Sequence, residues 1–195
     1  MVDEGDTIPA RKTRADAARN RARLLATAKA AFAAKGPNTS LDEIARTAGV
    51  GAGTLYRHFP TRDALVEAVY LNETQQLADA AGELALSHAP VEALREWMRL
   101  FVDLIVTKRV MAEALGSLAG GTSALYATTT ALVTAALDLL VDRAVASGEI
   151  RLQLSPLDLL RALSGVANAD AGATTGESAK QLVDLLIAGL RTRAP

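Results

Sequence analysis

The residues best suited to a chemical task lie together in segment 40–62, SLDEIARTAGVGAGTLYRHFPTR. Two short runs with apolar residues at helical spacing stand on either side of a turn that contains Gly49. This arrangement is the pattern of a helix-turn-helix, in which the second helix enters the major groove of DNA. Base edges are distinguishable in that groove, so the segment predicts sequence-specific contacts to DNA.

The predicted DNA-contacting residues combine hydroxyls, cations, an aromatic ring and small side chains. Gly53 permits close approach of the backbone to DNA, Thr54 can contact a thymine methyl, and Arg57 can bind a phosphate or a guanine edge. Hydroxyls and the unsatisfied N–H groups at a helix start suit backbone phosphates. The full predicted set is Thr39, Ser40, Gly51, Ala52, Gly53, Thr54, Tyr56, Arg57, His58 and Arg62.

The same residues have simpler interpretations, which stay open as alternatives. Tyr56 and His58 are of types that also pack in protein cores. Gly49, Gly51 and Gly53 resemble part of a phosphate-binding loop, but their spacing is not G-x-G-x-x-G and no strand precedes them. Arg14, Arg19, Arg21 and Arg23 on the basic helix before this segment can form a solvated face, but their concentration of charge favours an arm or helix edge near phosphate.

Positive charge is concentrated in the front part of the chain. Residues 10–62 hold eleven Lys or Arg and three acidic residues, whereas residues 63–195 hold ten and sixteen, and the net charge is −1. A basic front part suits a polyanion such as nucleic acid. The acidic rear indicates a second domain with a different partner.

The composition argues against an enzyme and against a metal or cofactor site. The chain has no Cys and two His, His58 and His88, so it lacks a thiol nucleophile, cluster ligands and the usual His-based metal site. Asp138 and Asp142 lie one helical turn apart, yet no nucleophile or base accompanies them. We therefore expect neither catalysis nor a metal or cofactor.

The elements that position these residues are all predicted to be helices. Forty of the 195 residues are Ala, the best helix former, and no convincing strand is found. Ser40 and Glu43 have the spacing of a capping box, and Thr61 and Ser155 also have the character of helix caps. We expect about nine helices, at 14–35, 40–48, 52–59, 62–86, 90–106, 108–118, 123–147, 156–171 and 178–193.

We expect an all-α chain of two domains with separate cores. Residues 1–13 form a disordered tail in this prediction, residues 14–61 a three-helix DNA-binding domain, and residues 62–195 a helical domain for ligand binding and dimerisation. Segment 114–137 carries no charge and is long enough to span a membrane, but its glycines and threonines make it too polar. We expect it to be buried or to line a cavity, in a cytoplasmic protein without a signal segment.

A ligand site is predicted in the rear domain, beside the charge-free segment. Its candidates are large or soft apolar side chains and one amide, although residues of these types more often form core. They are Trp97, Met98, Phe101, Met111, Leu115, Tyr126 and Asn168. Because residues 110–142 contain no Lys or Arg, we expect a small apolar or cationic ligand rather than an anion.

The last two predicted helices are apolar enough to form a homodimer through residues 156–193. Leu182, Leu185, Leu186 and Leu190 carry this prediction. A helix-turn-helix whose second helix is so short also needs two half-sites to be specific, which indicates a palindromic operator in double-stranded DNA.

The residues AGVGAGTLYRHFPTRDAL, the IA-x-x-AG-V pattern that leads into them and the AAFAAKGP stop before them resemble the TetR family of bacterial regulators (TetR/AcrR-like). The resemblance is close over about residues 17–70. It implies an all-α homodimer with three DNA-binding helices and a C-terminal small-molecule pocket. Many members have Ser where this chain has Gly51, which removes one helix cap. The implied function is a repressor that a small effector releases from its operator. The alternative is a DNA-binding regulator or architectural protein that senses no ligand.

Overall fold

Helices make up almost all of the structure, a computed structural model that describes residues 9–169 and 175–192. The described helices are α1 (Pro9–Lys35), α2 (Leu41–Thr47), α3 (Ala52–His58), α4 (Arg62–Ser87), α5 (Pro90–Val110), α6 (Ala112–Gly116), α7 (Ser123–Ala146), α8 (Pro156–Ala169) and α9 (Thr175–Leu190). A single 3₁₀ turn, Gly36–Asn38, follows α1. Within the described ranges the only strand-like pairing is an isolated bridge between Ile150 and Arg191. The predicted all-α fold is confirmed.

Two helix boundaries near the predicted sites differ from expectation. Helix α1 begins at Pro9, so residues 9–13 are helical rather than part of a tail, and residues 1–8 lie outside the described part of the chain. Helix α5 continues to Val110 through the predicted break at residue 107, which leaves α6 with only Ala112–Gly116. No Gly or Pro stands at the predicted break, so nothing local ends the helix there.

Predicted caps fix the helix starts around the helix-turn-helix. Ser40 Oγ accepts the Glu43 backbone N–H at 3.5 Å, and the Thr61 hydroxyl accepts the Ala64 N–H at 3.1 Å. The capping box is only half formed, because the Glu43 carboxylate pairs with Lys35 of α1 instead. The Lys35 ammonium also lowers the pKa of Glu43. This ion pair ties α2 to the end of α1.

The turn between α2 and α3 depends on a glycine. Gly49 has φ +67°, a left-handed conformation that glycine adopts without steric cost. The next backbone N–H, that of Val50, donates to the Ala45 carbonyl at 3.0 Å and closes the turn. The direction of α3 relative to α2 is therefore set by the backbone itself.

The front and rear of the molecule share one core. Buried apolar residues form a continuous cluster from Phe32 of α1 through Val69 of α4 to Trp97 of α5. Helix α4 packs against α1 as well as against α5 and α7. The expectation of two separate cores is wrong, because α4 is buried by both parts of the chain.

Helix α7 contains most of the charge-free segment. Among the described residues it is the one helix long and apolar enough to cross a membrane by length and composition. It packs against α4, α5 and α8, and buries Val133, Leu137 and Leu140 in the shared core. Packing inside the protein accounts for one side of the helix, and 33% of its most apolar window is buried.

Candidate DNA-binding surface and ligand pocket

One side of helix α3 is buried in the protein, and the opposite side is exposed. Leu55 and Phe59 are buried, whereas the Tyr56 side chain is 44% exposed, so core packing does not account for Tyr56. A side chain added at Gly53 would meet no protein atom within 4 Å, so packing does not require glycine there. The predicted residues on this exposed or half-exposed surface are Ala52, Gly53, Thr54, Tyr56, Arg57 and His58. Together with exposed Ser40 and Gly51, the caps of α2 and α3, we call them the α3 face.

Thr39 and Arg62 have structural roles that the sequence did not indicate. Thr39 is 3% exposed, and its hydroxyl donates to the carbonyls of Ala31 at 3.2 Å and Gly36 at 2.9 Å. The Arg62 guanidinium donates twice to the Thr39 carbonyl, at 2.7 and 3.0 Å, and lies over the Phe32 ring. The predicted phosphate contact of the Thr39 side chain is wrong, because that side chain is buried and satisfied. Arg62 fastens the start of α4 to the α1–α2 connection.

We expect Arg62→Ala to lower the free energy of unfolding by about 1.5–3 kcal/mol, the usual range for hydrogen bonds from a charged group. Two hydrogen bonds and the contact with Phe32 are lost together. Urea denaturation followed by helical circular dichroism measures the change. Arg57→Ala, an exposed arginine on α3, serves as the control and should shift stability by less than about 0.5 kcal/mol. Equal stability of the two variants would contradict the role of Arg62.

The basic residues around α3 divide into paired and unpaired groups. On α1, Arg19 pairs with Asp16, Arg23 donates to the Asn20 side chain, and Arg21 lies over the Phe59 ring. Exposed Arg46 and Arg57, by contrast, have no ion-pair partner among the described residues. On the α3 face, the guanidinium N–H groups of Arg57 are therefore available to contact a phosphate or a base.

Two adjoining pockets open in the rear part of the molecule. The larger, about 430 Å³, lies between α4, α5, α7 and α8, and the smaller, about 310 Å³, lies between α5, α6, α7 and α8. They share Ile105, Lys108 and Ser164. We refer to the two together as the rear pocket. Its volume lies within the usual range for small-molecule sites.

Three of the seven predicted ligand residues line the rear pocket. Phe101 lines the larger part, and Tyr126 and Asn168 line the smaller part. The other four are packed into the core and do not line either part: Trp97, Met98, Met111 and Leu115. Trp97 shows why, since its indole N–H donates to the Leu77 carbonyl at 2.8 Å and its ring stacks on Phe101. Placing these four in a pocket was wrong, because they fill the space between helices.

The polar residues of the rear pocket other than Tyr126 and Asn168 were not among the predicted ligand residues. They are Tyr70, Lys108, Arg109, Thr122, Thr129, Thr130, Arg161 and Ser164. The prediction rested on large apolar residues beside the charge-free segment 114–137, and the predicted break near residue 107 separated Lys108 from the face of α5. A weak sign of this site in the sequence was the cation Lys108 at the end of the otherwise apolar stripe of α5.

Burial shapes the electrostatics of this pocket. The Lys108 ammonium lies 3.8 Å from the centre of the Tyr126 ring, a cation–π geometry. Burial lowers the pKa of Lys108, because desolvation disfavours the ammonium. Burial likewise raises the pKa of Tyr70, whose ring meets Tyr126 edge-on at 5.8 Å.

Helix α6 links the rear pocket to the front of the molecule. Ala112 and Gly116 of α6 line the smaller part of the pocket. The same helix packs against the Gly36–Asn38 turn, next to the helix-turn-helix. Just after α6, the Ala119 backbone N–H donates to Asp63 Oδ2 at 3.0 Å, in the first turn of α4.

Models of two protein families match the chain. Residues 24–69 match "Bacterial regulatory proteins, tetR family", and residues 89–192 match "Transcriptional regulator SbtR-like, C-terminal domain". Among curated proteins, the HTH-type transcriptional regulator TtgW of Pseudomonas putida is 41% identical over 98 residues, which are 49% of this chain and 68% of TtgW. A probable acrEF/envCD operon repressor of Escherichia coli is 35% identical over 49% of this chain. That alignment spans less than half of the repressor, 44% of its length.

Solved structures match over nearly their whole length. A TetR transcriptional regulator, SCO0520, from Streptomyces coelicolor has a TM-score of 0.81 and 41% identity, and the match covers 89% of this chain and 99% of that one. A TetR transcription regulatory protein from Mycobacterium vanbaalenii has a TM-score of 0.76 and 36% identity, and covers 92% and 99%. The similarity thus includes both the helix-turn-helix and the helices around the rear pocket.

Proposed function

Because the chain belongs to the TetR family of bacterial transcriptional regulators, we propose that it is a repressor that a small effector releases from a palindromic operator. The observation that carries the proposal is the placement of α6, which contacts both the rear pocket and the helix-turn-helix part of the molecule. A repressor homologue among the matched proteins supports the sign of regulation. Such a regulator acts on chromosomal DNA in the cytoplasm.

Operator recognition is assigned to the α3 face. Tyr56 and Arg57 are exposed on the seven-residue α3, and Arg57 has no ion-pair partner among the described residues. Gly53 lies on the same face with open space in front of it, which lets a DNA backbone approach closely. Because so short a helix reaches few base pairs, specificity requires two copies on two half-sites.

The second copy is assigned to the outer face of α9. Leu182 and Leu185 are exposed, whereas Leu186 and Leu190 are half-buried and pack against the core. The exposed residues on one side of α9 are all uncharged: Ser178, Gln181, Leu182, Leu185, Ala188 and Gly189. We call them the α9 stripe. Its small residues allow close approach of a second helix, which supports a homodimer within residues 156–193.

Coupling between the two sites runs through α6 in this proposal. An effector between α5, α7 and α8 displaces α6. The displacement reaches α4 mainly through the hydrogen bond from Ala119, just after α6, to Asp63, and to a smaller extent through the contact of α6 with the Gly36–Asn38 turn. The separation of the two α3 faces in the dimer then no longer matches the operator. Linkage requires that operator binding weakens effector binding by the same factor.

We expect Asp63→Ala to uncouple the two sites while operator binding stays within about threefold. In the wild type, saturating operator should weaken pocket binding of N-phenyl-1-naphthylamine, a neutral dye that fluoresces in apolar sites, by about fivefold or more. In Asp63→Ala the effect should fall below about twofold, because the Ala119–Asp63 hydrogen bond is lost. Glu67→Ala, an exposed acid one turn further along α4, should retain the full coupling. Equal coupling in all three proteins would rule out this route.

Sequencing of genomic DNA that co-purifies with the protein after mild crosslinking tests the proposed function. We expect enrichment of an inverted repeat whose half-site centres lie about one helical turn or a multiple of it apart. Sequences no different from bulk genomic DNA would refute operator recognition. If the operator is found and no compound that occupies the rear pocket releases it, the non-sensing alternative is correct.

A further inference from the structure

Cations line the rear pocket, and one of them, Lys108, lies at its centre. Among the residues that the structure describes, the lining includes three cations, Lys108, Arg109 and Arg161, and no Asp or Glu. The remaining lining is apolar, or hydroxyl and amide. The sequence predicted an apolar or cationic ligand, whereas a pocket lined by cations suits an anion. The difference arises because the cations lie outside segment 110–142, on which the prediction rested.

Lys108 is the central cation, since it lines both parts of the pocket. Among the described residues no carboxylate lies within 4 Å of its ammonium, and its contact there is the face of Tyr126. Arg161, in comparison, already pairs with Asp158 at 3.0 Å. A partly desolvated ammonium without a counter-ion is unfavourable, and a bound anion removes that cost.

We propose that the effector is an amphipathic organic anion, with its acidic group at Lys108 and its apolar body in the larger part of the pocket. The regulatory role of this ligand rests on the proposed function, whereas the anion site is argued from the lining residues alone. Phe101, Ile105 and Val133 supply apolar wall for the body of the ligand. Hydroxyls of Thr130 and Ser164 are placed on the same lining to accept or donate further hydrogen bonds.

A matched pair of dyes tests the proposal without knowledge of the natural effector. 1-Anilinonaphthalene-8-sulfonate and N-phenyl-1-naphthylamine share their ring system, and the first carries a sulfonate. In Lys108→Met, which keeps the unbranched chain up to the ammonium and removes the charge, we expect the sulfonate dye to bind at least about tenfold more weakly. The neutral dye should bind within about twofold of wild type. Arg151→Met, an exposed cation outside the rear pocket, should change neither affinity.

Several results would overturn the proposal. They are equal losses for both dyes in Lys108→Met, an unchanged affinity for the sulfonate dye, and no binding of that dye to the wild type at 100-fold excess over the protein. Displacement of the bound sulfonate dye by organic amines more readily than by carboxylates of the same skeleton would also contradict it. Release of the operator by neutral or cationic compounds, with no release by organic anions, would leave the regulatory function standing and refute the anion alone. Anion binding at Lys108 without any effect on the operator would refute the regulation alone.

Discussion

Leu185→Glu is expected to convert the protein to a monomer at micromolar concentration and to weaken operator binding by at least about 1,000-fold. Leu185 is 68% exposed in the single chain and lies in the middle of the α9 stripe. A carboxylate there would be desolvated against the partner, twice per symmetric dimer, which costs several kcal/mol in total. A monomer then contacts one half-site only, so the binding energy of the second half-site is lost.

The matched control is Leu86→Glu, which places the same charge on a leucine that is 92% exposed on α4. This variant should remain dimeric and bind the operator like the wild type. Sedimentation velocity measures the oligomeric state, and a gel-shift titration measures operator affinity. If Leu185→Glu sediments as a dimer, the interface lies elsewhere on the protein. If it is monomeric and still binds the full operator at wild-type strength, recognition does not require two copies.

Tyr56→Ala is expected to weaken specific operator binding by about 30- to 150-fold per dimer. One lost side-chain contact costs about 1–1.5 kcal/mol, and the dimer loses two of them. The helical circular dichroism should stay unchanged, because Tyr56 is exposed and the adjacent Leu55 and Phe59 keep α3 anchored. Binding to unrelated DNA should change little, which separates a specific contact from a general loss of charge.

Two further variants separate the contributions of the Tyr56 ring, the Tyr56 hydroxyl and the charge of Arg57. Tyr56→Phe keeps the ring, so wild-type binding by this variant would assign the contact to the ring, and a loss equal to that of Tyr56→Ala would assign it to the hydroxyl. Arg57→Ala should weaken binding to every sequence and reduce the slope of log affinity against log salt by about one per phosphate contact. Wild-type affinity of Tyr56→Ala for a selected operator would show that α3 is not the reading helix.

The parts of the fold that follow from local chemistry were predictable from the sequence. Caps at Ser40, Thr61 and Ser155 each accept a backbone N–H in the first turn of their helices, as their residue types predict. The left-handed Gly49 ends α2 where expected. These signals act within a few residues, so the sequence alone is enough to find them.

The errors concern residues whose surroundings are set by distant parts of the chain. Periodicity shows that Trp97 is buried, but only the position of Leu77 on α4 decides that it fills core instead of lining a pocket. The same holds for Arg62, whose partner is the carbonyl of Thr39, 23 residues away in the chain. Lys108 was not predicted because a charged residue near a helix end is usually solvated, and here it is half-buried, against Tyr126 of α7 and on a pocket lined also by α8.

The continuous core across α4 has a consequence for how this regulator can acquire new target genes. If the N-terminal DNA-binding helices were replaced by those of a relative, the new helices would have to fit the surface that α4 shares with α1, α5 and α7. They would also have to keep the contact between α6 and the Gly36–Asn38 turn. Point changes on the α3 face meet no such constraint, since its side chains pack against little else. Retargeting by engineering, or by natural divergence, is therefore easiest through single substitutions at Thr54, Tyr56 and Arg57, which leave the rear pocket unaltered.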